Sequence, residues 1–156
     1  MTWDLGFEVL DSIYRMATNT MKSAIYPCLP EYFDSEGRGM YSYLTGSASW
    51  YMLTLLTQVF GIRGNCGDLE IAPKLVREQF SGTASLTIRA SFAERRIVVR
   101  YLNADKKDYK KYAITSVTIN GKAIALDGPR PSVAIPRAEF LSLAERDENL
   151  IEVTLG

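Results

Sequence analysis

The spacing of apolar residues changes period near Gly64, and that change limits the chain to a helical part followed by a β part. Upstream, Phe7, Leu10, Ile13 and Tyr14 recur at helical spacing with Glu8, Asp11 and Arg15 on the other face, which predicts a helix from Trp3 to about Met16. A second helix is expected from Ala48 to Phe60. Trp50, Leu53, Leu56, Val59 and Phe60 form its apolar stripe, and Gly61 stands where a C-terminal cap glycine belongs. Between them, residues 26–40 hold Pro27, Pro30, Gly37, Gly39 and three carboxylates, and read as an irregular loop whose aromatics pack inward.

Downstream of Gly64 the segments are short, β-branched and bounded by turn residues: Leu69–Ile71, Thr83–Phe92, Arg96–Asn103, Tyr112–Asn120 and Leu150–Leu155. In the second of these, Ala84, Leu86, Ile88 and Ala90 fall on one side, and Ser85, Thr87, Arg89 and Ser91 on the other, so one face is buried and one is wet. Ala93-Glu94-Arg95 is expected to turn that strand back, and Asn120-Gly121 to form a type I′ hairpin turn. Arg137–Ala144 carries helix formers and predicts one helical turn before the last strand. The fold class is therefore α+β: N-terminal helices over residues 1–63, then an antiparallel β-sandwich over residues 64–156.

Eighteen basic and eighteen acidic side chains cancel, so no long-range field attracts nucleic acid or an anionic membrane. The chain contains no histidine, and Cys28 and Cys66 lack metal-ligand spacing, which rules out a histidine-based triad and leaves little for a metal site. No metal, no cofactor and no catalytic residue is assigned, and both cysteines are expected as free thiols. The N-terminus lacks the basic and apolar regions of a signal peptide, and no segment reaches the roughly 20 apolar residues needed to span a bilayer. A soluble, cytoplasmic protein is the expectation.

Three features bear on chemistry. Thr45-Gly46-Ser47 opens the second helix, where unpaired N–H groups, the positive end of the helix dipole and two hydroxyls converge, an arrangement suited to phosphate or sulfate. Simple capping by Thr45 or Ser47 is the commoner use of the same pattern. Glu31, Asp34 and Glu36 place three carboxylates beside Tyr32 and Phe33, whose apolar faces would raise the pKa of a general acid, whereas a solvated acidic loop is the plainer alternative. Tyr26, Tyr32, Tyr41, Tyr43 and Trp50 suit stacking on sugar rings, though core packing is the commoner use of such residues.

The stretches YLTGSASW, FGIRG and GDLEIAPKL, in this order and closely spaced, resemble the C-terminal part of glycoside hydrolase family 94, the inverting cellobiose and chitobiose phosphorylases once classed with the glycosyltransferases. The resemblance runs from Gly37 to Leu75, 39 residues. It implies that residues 1–63 are the last helices and loop of an (α/α)6 barrel and that residues 64–156 are a jelly-roll-like C-terminal sandwich. It also implies a phosphate-binding role for Thr45 and Gly46, with Ser47 as neighbour. Inorganic phosphate and a β-linked oligosaccharide would be the partners of the complete enzyme. The family's catalytic aspartate lies upstream in the barrel and has no match in this sequence, nor does a phosphate-contacting histidine. In the complete enzyme, phosphate attacks the anomeric carbon while a carboxylic acid protonates the leaving oxygen, giving an inverted α-sugar 1-phosphate.

The leading expectation is thus a phosphorylase segment that is inactive alone and contributes a phosphate-binding turn. A free-standing carbohydrate-binding sandwich and a module that homo-oligomerises through exposed helices are the alternatives.

Overall fold

The period change is realised as two compact units, Met1–Leu55 and Leu56–Gly156, in a computed structural model that describes residues 3–41 and 46–156. The division falls upstream of the 63/64 boundary expected from sequence. Val59 and Gly61 already belong with the strands: their carbonyls accept hydrogen bonds from Lys74 N (2.9 Å) and Ala72 N (2.8 Å).

In the first unit, α1 spans Trp3–Thr18, the helix its apolar spacing predicted, with an Asp11–Arg15 pair at 2.6 Å one turn apart. Asn19 then caps the short α2 (Thr20–Ser23) by accepting from Lys22 N, and Ala24 ends it in the left-handed region at φ 56°. The expected irregular loop contains a small ladder, β1 (Tyr32–Phe33) against β2 (Gly39–Met40). Asp34 Oδ1 closes its turn by accepting from Glu36 N (2.9 Å) and Arg38 N (2.8 Å). Contrary to expectation, the loop's tyrosines face water: Tyr26, Tyr32 and Tyr41 are all exposed. Their hydroxyl tips make that exposure tolerable.

The helix expected over Ala48–Phe60 is two structures. An α-helix, α3, covers Ser47–Thr54, and a π-helical turn covers Leu55–Val59. The wider turn rotates later side chains by roughly 100° relative to a continuous α-helix, so the apolar stripe does not stay on one face. Trp50 and Leu53 are exposed whereas Val59 is fully buried. Gly61 does end the segment at φ 70°, and a β-carbon there would collide with the Ala72 carbonyl.

The second unit opens with β3 (Ile62–Asn65) and β4 (Asp68–Ile71), a hairpin turned by Cys66-Gly67. A 3-10 turn at Arg77–Phe80 leads into β5 (Ser85–Phe92) and β6 (Arg95–Leu102), then β7 (Ile114–Ile119) and β8 (Lys122–Ala123). The chain closes with β9 (Val133–Ile135), α4 (Arg137–Leu143) and β10 (Glu148–Leu155). The predicted turns are present: Ala93-Glu94 and Asn120-Gly121 each have two consecutive positive φ values and connect strands in two-residue hairpins.

The strands form a five-stranded sheet, β5-β6-β10-β7-β8, and a three-stranded sheet, β3-β4-β9. α+β is therefore the fold class, with one departure from a wholly antiparallel arrangement. β10 inserts between β6 and β7 and runs parallel to β6, with Glu148 level with Arg96 and Glu152 level with Arg100. The core consists of inward residues from both sheets, among them Leu69, Ile71, Ile97, Val99, Tyr101, Ile119, Ile135, Ile151 and Val153. Phe140 of α4 packs edge-on against Phe92 with centroids 5.2 Å apart. Tyr101 donates to the Phe60 carbonyl, and Tyr112 donates to Pro73 O (3.0 Å) while accepting from Leu75 N (2.8 Å). Burial raises the pKa of both phenols, so these hydroxyls act as neutral anchors. No described helix is long and apolar enough to cross a membrane.

Candidate functional site

Helix α3 begins at Ser47 with Gly46 as its N-cap residue, in helical conformation and without a side chain to cap the first turn. Trp50 N donates to Gly46 O (2.8 Å) as the first regular bond of the helix. Among the described residues, no side chain accepts from the N–H groups of Ser47, Ala48 or Ser49, so these donors keep the positive helix end open. Trp50, 68% exposed, lies over the same turn: a β-carbon added to Gly46 would come within 3.0 Å of its indole. Glycine at this position therefore permits the close approach of ring and backbone.

Of the three residues assigned to phosphate from sequence, Gly46 and Ser47 flank this helix start, and Thr45 lies outside the described residues, as does Tyr43. Ser47 does not cap. Its Oγ donates instead to Glu31 Oε2 at 3.2 Å. Glu31 is held there by the loop, its own N–H shared between Met40 O and Tyr41 O, both at 3.1 Å. A carboxylate therefore stands beside the first residue of α3, on the Ser47 hydroxyl rather than on the first-turn N–H groups.

The acidic trio is separated by the fold. Asp34 is spent on its turn, Glu36 is exposed within that turn, and only Glu31 meets the Gly46–Ser47 segment. Glu31 is itself exposed, so the apolar enclosure that a general acid requires is not formed around it. Tyr32 and Tyr41 pair on the same loop, ring centroids 5.7 Å apart and tilted by 48°. Tyr51, one residue beyond Trp50, points the other way and donates to Leu10 O (3.0 Å). Its pKa is raised by burial, with Asp11 and Tyr14 adding to the effect. A concavity in this unit, about 450 Å³, has Arg15, Lys22 and Asp34 in its lining, of which Arg15 and Asp34 are already committed to Asp11 and to the loop turn.

Together, the start of α3 presents first-turn N–H groups without a described side-chain acceptor, an exposed indole and a carboxylate bonded to Ser47. Both cysteines are free and exposed, and among the described residues no group of three or more metal-ligating side chains comes together. The Glu31–Ser47 contact was not foreseen; its only sequence signal was a carboxylate in a loop rich in turn residues. No protein-family model matches the sequence, and no characterised protein matches it significantly.

Proposed function

We propose that the chain is the C-terminal part of an inverting disaccharide phosphorylase of the glycoside hydrolase family 94 type, and that Thr45-Gly46-Ser47 is its phosphate-binding turn. In this reading the first unit is the end of an (α/α)6 barrel and the second a jelly-roll-like sandwich. The observation that carries it is the start of α3: exposed Gly46 at the N-cap and first-turn N–H groups with no described side-chain acceptor. Phosphate is already nucleophilic, so such a turn needs only to orient it. The catalytic aspartate belongs to the missing part of the barrel, and the chain alone performs no phosphorolysis. Removal of a general acid typically costs about 10² to 10⁴ in rate.

Phosphate titration of ¹⁵N-labelled protein tests the proposal. Saturable shifts at Gly46 and Ser47 are expected, reduced in Thr45→Val and enlarged in Glu31→Gln, which removes the competing charge. Absence of shifts in both wild type and Glu31→Gln at tens of millimolar phosphate would reduce the turn to an ordinary helix start.

The exposed side chains of the first unit, Val9, Tyr14, Trp50, Met52 and Leu53 among them, favour cover by the companion helices of that barrel. Self-association through the same residues is the competing reading. A concentration-dependent mass by sedimentation would favour it.

A further inference from the structure

The second unit contains a cleft of about 420 Å³ lined by Glu94, Arg95, Arg96, Arg146 and Asp147. We propose that it binds the phosphate group of a small phosphorylated polyol, with the three guanidinium groups on the phosphate and the two carboxylates receiving hydroxyl groups. This site is independent of the Gly46–Ser47 turn.

These three arginines, like Arg38 and Arg137, have no ion pair among the described residues. Arg63, Arg77, Arg89, Arg100 and Arg130 each have a carboxylate within 4.0 Å, whereas among the described residues Arg95, Arg96 and Arg146 have none. Glu148 is level with Arg96 across the parallel pair, yet its carboxylate is directed to Arg89 at 3.4 Å. Three guanidinium groups and two carboxylates thus line one concavity with a net positive charge and no ion pair closed among them, which leaves the arginines open to an oxyanion.

The backbone beneath them is fixed by a buried polar side chain. Asn149 is 0% exposed and uses all four of its hydrogen-bonding positions. Its Nδ2 donates to Arg96 O (3.2 Å) and Arg146 O (2.8 Å), and its Oδ1 accepts from Arg146 N (3.0 Å) and Asn120 Nδ2 (2.9 Å). Asn120 in turn donates to Leu143 O and accepts from Leu150 N. Two of the three arginines are therefore tied together through one satisfied residue in a strand otherwise apolar on its inward side. The third, Arg95, follows the Ala93-Glu94 turn, where two residues other than glycine hold φ values of 49° and 62°.

The lining also selects the ligand. A phosphate monoester offers three terminal oxygens to three guanidinium forks, whereas a carboxylate offers two. Glu94 and Asp147 repel a second anionic group but accept hydroxyl hydrogen bonds, so the remainder of the ligand is neutral and hydroxylated. The same two carboxylates disfavour a nucleic-acid backbone.

Amide-resolved NMR titration of the full chain at low ionic strength tests this, with inorganic phosphate, glycerol 3-phosphate and glycerol as probes. Both phosphates should give saturable shifts at Glu94, Arg95, Arg96, Arg146 and Asp147, with glycerol 3-phosphate the tighter and glycerol alone silent. Arg96→Gln and Arg146→Gln should each weaken binding by about ten- to a hundredfold, the worth of a charge-assisted hydrogen bond. Asp147→Asn, which keeps the shape, should abolish the advantage of glycerol 3-phosphate. Shifts that stay linear in phosphate, or that persist unchanged in both arginine variants, would overturn the site. Equal affinity for the two phosphates in wild type would overturn the polyol assignment. Shifts at Gly46 and Ser47 report the other turn separately.

Discussion

From Leu56 onward, β4, β6, β7, β9 and β10 each turn side chains fully inward, and no large apolar residue of that unit is exposed. In the first unit the buried set among the described residues reduces to Ala17, Ser23, Pro30 and Gly39, and large apolar side chains from Leu5 to Leu53 face water. Both halves are rich in apolar residues, so the difference lies in what the local structure can close. A mixed sheet with a second sheet and a helix covers its own inward faces. Three helices, one of them a single turn, and a two-residue ladder do not. One half therefore buries its apolar faces within itself, while the other leaves large apolar side chains exposed.

The largest effects that separate the halves are expected from truncations of similar size. Phe140→Ala, in the closed core, should cost about 3–5 kcal/mol in denaturant unfolding. Trp50→Ala, on the open helix, should change stability by less than about 0.5 kcal/mol. Equal losses would erase the contrast. Gly61→Ala should cost about 1–3 kcal/mol, since the new β-carbon meets the Ala72 carbonyl in a left-handed backbone, and a melting curve will register it.

Smaller effects come from titration, and they belong to the second unit. Tyr101 and Tyr112 have pKa values raised above the ordinary 10 by burial. Their contribution to stability is complete below that value and is lost as pH rises above it, because only the unfolded phenols ionise readily there. Tyr112→Phe should flatten this alkaline loss. Glu70 accepts two hydrogen bonds from the Arg63 guanidinium, at 2.9 and 3.0 Å, directly across the β3–β4 pair, and this contact lowers its pKa from the ordinary 4.5. That stabilisation is present above pH 4.5 and disappears as pH falls through the lowered value. With Arg63 partly exposed, Glu70→Gln should cost only about 0.5–1 kcal/mol at neutral pH, and unfolding midpoints of variant and wild type should converge in acid.

The second unit was also the more legible half. Alternation located β4, β5, β6, β7 and β10 to within a few residues but missed β3 and β9, and Asn120-Gly121 declared its turn, because period and turn chemistry are local. Pairing direction is not local: nothing in ENLIEVTL distinguishes a strand parallel to β6 from one antiparallel to it. Asn149 did leave a trace, as the polar member of the inward set shared with Ile151, Val153 and Leu155. In the first unit, Trp50, Leu53, Val59 and Phe60 satisfy a helical stripe equally well whether or not a π turn interrupts it, and amphipathic tyrosines fit core and surface alike. Gly46 and Ser47 were recognisable as a helix start, whereas the Glu31 contact depends on a loop closure that the sequence does not encode locally.

Hydrogen–deuterium exchange of the dilute full chain measures the difference between the halves directly. Amides of β6, β7 and β10 should exchange only through global unfolding, while those of α1 and α3 should exchange orders of magnitude faster through local opening. Equal protection of α1, α3 and the central strands in monomeric protein would contradict the account, since it would mean that the first unit needs no further cover.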